Sequence, residues 1–140
     1  MIIYKQLIAI CLMFSIAFAI TACSDDELEP ERTPIPYLKI MEAPNEWQNA
    51  VFDIDCNEQT ITVTCQTNIS NLRIDCERFP WIKIEDKQVK EDPENETFQY
   101  QIYTFRIGAN ESTTAREGLI VIYGYEGEVV EVHQAAPVSP

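Results

Sequence analysis

Three short stretches alternate apolar and polar residues and carry a cysteine at the end of each apolar set: Phe52, Ile54, Cys56; Ile61, Val63, Cys65; and Leu72, Ile74, Cys76. A period of two puts each set on one face of an extended strand. Beyond Pro36, no segment of ten or more residues shows apolar spacing of the helical kind, so the sequence predicts an all-β domain. Further strands are expected over residues 37–41, 81–84 and 98–107, the last with apolar residues on both parities, which predicts a bulge or a switch between sheets. The acidic and basic run 85–96, containing Pro93, is expected to be a charged loop.

A terminal hairpin is expected to turn through Tyr125-Glu126-Gly127, with Gly127 left-handed, Ile122 facing Val130 and Ile120 facing Val132. Its other face would carry Leu119, Val121, Tyr123, Val129 and His133. That face is unusually apolar for an exposed one, and either the first strand or a partner protein would cover it. About eight short strands in roughly 100 residues favour an immunoglobulin-like two-sheet β-sandwich, with an open barrel as the alternative.

The start of the chain has a different character. A single Lys5 precedes the apolar run Leu7 to Ile20, the pattern of a secretory leader; about 14 residues are too few for a spanning helix, which needs roughly 20. Ile20-Thr21-Ala22-Cys23 resembles the bacterial lipoprotein box, which implies cleavage before Cys23 and lipid attachment to its sulfur; the alternative is an ordinary leader cut near Ala22. Asp25, Asp26 and Glu27 resemble the surface-export signal of Bacteroidetes lipoproteins, which implies an outer-membrane anchor with the domain on the cell surface, the periplasmic face being the alternative. Pro30, Pro34 and Pro36 among charged residues read as a stalk of up to roughly 40 Å. The expected organisation is thus leader 1–22, anchored linker 23–36, sandwich 37–136 and tail 137–140.

Charge narrows the partners. The chain carries 10 basic and 23 acidic residues; losing Lys5 with the leader leaves 9 against 23, a net charge of −14. Such a surface disfavours nucleic acid and anionic lipid, and the expected contact with the membrane is through the N-terminal lipid alone.

No motif supports catalysis, a cofactor or a metal. His133 is the only histidine, and no Gly-x-Ser-x-Gly turn or Gly-rich phosphate loop is present. Asp53-Ile54-Asp55-Cys56-Asn57 opens like a calcium loop but then has Glu58 where glycine is needed and Thr64 where glutamate is needed. Asn68-Ile69-Ser70, Asn95-Glu96-Thr97 and Asn110-Glu111-Ser112 are read as turns. With Cys11 in the leader and Cys23 at the anchor, Cys56, Cys65 and Cys76 remain, either as buried thiols or with one pair joined across the sheets. Were strands two to four joined by simple hairpins, Cys65 would lie opposite Leu72 and Cys76 opposite Ile61.

Trp81-Ile82, Tyr103-Thr104-Phe105 leading to Asn110-Glu111-Ser112, then Arg116, Ile120, Ile122 and Val130-Glu131-Val132-His133-Gln134 resemble the BACON domain family, β-sandwich modules of secreted and surface Bacteroidetes proteins. The tail Ala135-Ala136-Pro137 departs from that pattern, where the family usually has glycine. Trp81 and Phe105 are expected in the core, while Trp47, Tyr100, Tyr123 and Tyr125 are expected at the surface, where with Val121 they form the candidate ligand or partner face. The expected function is a non-enzymatic, lipid-anchored envelope module serving as a spacer or protein-interaction domain. The alternative, which the family name implies, is a carbohydrate-binding module that stacks glycans on exposed rings.

Overall fold

The computed structural model describes residues 34–138, which contain eight strands and no helix. The leader, Cys23 and the acids Asp25, Asp26 and Glu27 lie outside the described residues. The strands are β1 (Leu38–Ile40), β2 (Ala50–Ile54), β3 (Gln59–Thr67), β4 (Arg73–Asp75), β5 (Ile82–Glu91), β6 (Gln99–Ile107), β7 (Arg116–Tyr123) and β8 (Gly127–Gln134). They form two four-stranded sheets, ordered β1-β3-β6-β5 and β2-β8-β7-β4. This is the immunoglobulin-like sandwich, in which the first strand is split: β1 pairs antiparallel with β3, then the chain crosses and β2 pairs parallel with β8.

Alternation explains the core. Ile61, Val63 and Cys65 on β3, Tyr103, Phe105 and Ile107 on β6, Ile120 and Ile122 on β7, and Val130 and Val132 on β8 are buried between the sheets. Full burial of each such side chain contributes about 1.5–3 kcal/mol. The alternating sets keep the predicted parity but not the predicted pairing, and of the cysteines only Cys65 is a buried strand residue, Cys56 and Cys76 lying half-buried just past β2 and β4. Cys65 lies opposite Ile40 and Gln101, and β4 joins β7 in the other sheet, so the simple hairpins are overturned. All three cysteines are free thiols, and burial, reinforced by Glu42, pushes Cys65 up to about 12.

Further expectations need correction. The charged run 85–96 is mostly strand: β5 continues to Glu91, with a bulge at Glu85. Its outer edge has no neighbour and most of it is exposed, so it carries no apolar signal; charges and a bulge are the usual protection of such an edge. The bulge sits on β5 rather than on β6, whose register with β3 is unbroken. As a central strand, β6 has its outward Tyr100, Ile102 and Thr104 half-shielded by neighbours, which is why both parities read as apolar.

In the last hairpin the loop is Gly124-Tyr125-Glu126, closed by Tyr123 opposite Gly127, and no glycine has positive φ. Ile120 therefore faces Val130 and Ile122 faces Glu128, a slip of two residues that preserves the buried face. Gly127 packs closely: a Cβ there would lie 3.2 Å from the Tyr123 ring and 3.3 Å from Val121, so those side chains would have to give by a few tenths of an ångström.

Four polar residues of the family-like pattern, Asn110, Ser112, Arg116 and Gln134, build one end of the sandwich. The Arg116 guanidinium lies 4.2 Å from the Trp81 ring centroid and donates to Gln134 Oε1 (2.8 Å) and to the Gly108 and Ala109 carbonyls. Buried Asn110 donates to the Thr114 and Ala135 carbonyls and accepts from Ser112. Trp81 is half-buried rather than central, because its indole edge occupies the space a Cβ on Gly118 would need. No buried side-chain polar atom lacks a partner among the described residues.

Candidate functional site

At the other end of the sandwich, β3, β5 and β7 run out into the loops 68–72, 92–98 and 124–126, beside the point where the chain enters β1. Asn68 ties that point down, accepting from Tyr37 N and donating to the Ile35 carbonyl. Buried Gln101 donates to the Ile69 carbonyl (2.7 Å) and so fixes the loop after β3. Asp92 accepts the Glu94 N–H and the Gln66 amide, contacts that hold its carboxyl below the usual range. Asn95 and Asn110 cap their own turns by accepting from Thr97 N and Ser112 N, whereas Asn68 acts as a clamp.

The five residues of the predicted face do not form one platform. Val121 and Tyr123 lie on the outer face of the β2-β8-β7-β4 sheet, and Tyr125 stands at the adjoining hairpin tip, 83% exposed. Arg73 sits 5.0 Å from the Tyr123 ring centroid and Gly127 lies under the same ring, so Tyr123 is partly covered. Tyr100 is on the opposite sheet and is half-buried rather than exposed; burial, and then the nearby Asp92 and Glu94, raise its hydroxyl above the ordinary value. Trp47 is 92% exposed in the crossover between β1 and β2, where its N–H donates to Asn45 Oδ1.

Two adjoining clefts connect the hairpin tip to that crossover. One, of about 280 Å³, is lined by Leu38, Ile69, Tyr125 and Glu128; the other, of about 250 Å³, by Ile40, Asn45, Gln48, Ala50 and Glu128. Tyr37 and Leu38 border both. Burial at the open end of the sandwich, with Glu126 close by, raises the Glu128 carboxyl above its ordinary value.

The outer face of the β2-β8-β7-β4 sheet is the more distinctive surface. Val51 (44% exposed), Leu119 (41%) and Tyr123 (38%) lie on it with half-buried Val121 and Val129. Among the described residues no strand covers it, since β1 joins the other sheet and β2 extends this one edgewise. Its rim is charged. Imidazole Nδ1 of His133 is 3.3 Å from Asp53, and Nε2 is 3.8 Å from Glu131 and 4.0 Å from Glu117. His133 borders an open cleft with Asp53, Arg116 and Glu117, and no serine, threonine or cysteine lines it. Among the described residues no group of three or more His, Cys, Asp or Glu side chains is arranged to hold a metal ion. Sequence reasoning missed Val51 and Arg73 as members of this face, because their place depends on β2 and β4 joining a sheet through distant strands.

No family model matches the chain, and no curated protein matches it. Among solved structures, a Bacteroides ovatus GH5 xyloglucanase in complex with a XXXG heptasaccharide is similar, with a TM-score of 0.50 and 12% identity over 74% of this chain. The similarity spans 20% of that enzyme's length. A protein from Bacteroides thetaiotaomicron, solved by NMR, has a TM-score of 0.44 and 14% identity over 80% of this chain and 98% of its own. At these identities the likeness shared with the xyloglucanase is one of fold.

Proposed function

We propose that this chain is a lipid-anchored, non-catalytic module of the bacterial cell envelope, a BACON-like domain on a short stalk that works by protein contact. The observation that carries this reading is the uncovered apolar face of Val51, Leu119, Val121, Tyr123 and Val129. Water-exposed apolar area of this kind, rimmed by charge, is the usual mark of an interaction surface. Similarity to one fifth of a larger glycan-degrading enzyme is in keeping with a domain used as an accessory part. The anchor rests on Cys23 and surface export on Asp25, Asp26 and Glu27. Cys23→Ala is expected to release the protein from washed membranes or to stop its maturation; unchanged fractionation contradicts the anchor.

Carbohydrate binding is the second reading, favoured by one arrangement: Tyr125 lines a cleft, exposed Trp47 flanks its neighbour, and Glu128 lies in both. Affinity electrophoresis of the fragment from Glu27 onward through gels holding host and plant glycans separates the two. The protein-contact reading predicts unretarded migration. Retardation that disappears in both Trp47→Ala and Tyr125→Ala would establish the glycan reading instead.

A further inference from the structure

We infer that the outer face of the β2-β8-β7-β4 sheet pairs with the same face of a second copy of this chain. The inference rests on the protein-contact reading and names the occupant. Register shows why the face fits itself. Ile120 marks the middle of β7; Arg73, level with Tyr123, lies about 10 Å to one side of it, and Glu117 lies about 10 Å to the other. A two-fold axis in the interface, running across the strands at the level of Ile120, exchanges the two ends. It therefore sets Tyr123 of each copy over Glu117 of the other, with Arg73 one strand spacing, about 4.8 Å, to the side and within reach of that carboxylate, and it lays Leu119 of each copy over Val121 of the other at the centre. An isologous contact uses each complementary pair twice, so one Arg and one Glu supply two ion pairs.

Other charges bound the strength of the association. Asp53, Asp75, Glu117 and Glu131 face outward with only Arg73 and His133 against them, and His133 is already engaged with three of the acids. The face measures at most about 19 Å by 26 Å, so two copies bury at most roughly 1,000 Å², no more than the lower limit for a specific contact. Such a pair is weak in free solution. Tethering both copies to one membrane raises their effective concentration and makes the contact productive.

The experiment uses the full chain in its own membranes, with a photo-crosslinking benzophenone amino acid at Leu119 or, as a control on the other sheet, at Thr62. Illumination is expected to give an adduct of twice the chain mass from Leu119 and not from Thr62. Arg73→Glu and Glu117→Arg should each reduce that adduct to the Thr62 background, and the double exchange should restore it, because each copy then carries both swapped partners. Restoration also shows that the single variants fold, and their thermal unfolding is checked alongside. Adducts of Leu119 only with chains of other mass overturn the second copy while leaving the protein-contact reading standing. Absence of any adduct overturns both, and a dimer indifferent to the charge exchange overturns the proposed register.

Discussion

Asn110 shows what one side chain does in this fold. Its amide nitrogen donates to the Thr114 carbonyl at 3.0 Å and the Ala135 carbonyl at 3.1 Å, and its oxygen accepts from Ser112 N and Oγ. The residue is 2% exposed, so water does not replace those partners when the amide is removed. Asn110→Ala is therefore expected to cost about 2 kcal/mol, measured by urea unfolding of the fragment from Glu27 onward. A loss below about 0.5 kcal/mol, typical of a surface substitution, contradicts the assigned role. Gln134 and Arg116 belong to the same end of the molecule, joined through Gly108 O. Asn110, Ser112, Arg116 and Gln134, which help carry the family resemblance, thus hold loops and strands in place, and their presence speaks to the fold rather than to a ligand.

Among elements, the loop end contains two carboxylates that respond to pH in opposite directions. Asp92, capping the turn after β5, is held below the usual range by the Glu94 N–H and then by the Gln66 amide. A lowered folded value means that its contribution is present above the ordinary carboxylate range and is lost as pH falls through that lowered value. Glu128, at the start of β8, is raised by burial and then by Glu126, so its carboxylate form costs stability as pH rises through the raised value and costs none below the unfolded one. Asp92→Asn should therefore lower the melting temperature at pH 7, and Glu128→Gln should raise it. The Glu128 difference should vanish by roughly pH 4, below its unfolded value, whereas the Asp92 difference should persist there and shrink only as pH falls further, through its lowered value. Equal differences at pH 7 and at the acid end would show that neither carboxylate titrates as described.

Legibility in the sequence followed the same elements. The alternating sets at Ile61–Val63–Cys65 and Ile120–Ile122 were readable because one parity is buried and the other is not. Of β5 only the start, residues 82–84, was readable, since an edge strand exposed over most of its length imposes no apolar alternation on the remainder. Pairing was harder still. Nothing local to residues 72–76 says that β4 joins β7, and nothing local to residues 50–54 says that β2 runs parallel to β8. The candidate face suffered accordingly: Val121 and Tyr123 came from one hairpin and could be read together, whereas Val51 and Arg73 arrive from strands whose partners are far away in sequence. Exposed Trp47 and Tyr125 were legible as surface rings, but not that two clefts sharing Tyr37, Leu38 and Glu128 lie between them.

For the whole molecule, the account joins a tether to a sandwich with one uncovered face. On the proposed tether, a stalk expected to reach at most roughly 40 Å, the domain would meet what lies close to the membrane, where local concentration favours contacts too weak to persist in dilute solution. The central claim is that the face of Val51, Leu119, Val121 and Tyr123 is covered in the envelope and open in the isolated domain. Carbene footprinting of washed membranes beside the purified fragment, read residue by residue by mass spectrometry, tests this directly. Strong labelling of Leu119 and Tyr123 in the fragment and protection in membranes, with Ile84 and Val89 on the β5 edge labelled in both, is the predicted result. Equal labelling of Leu119 and Tyr123 in the two preparations would contradict it.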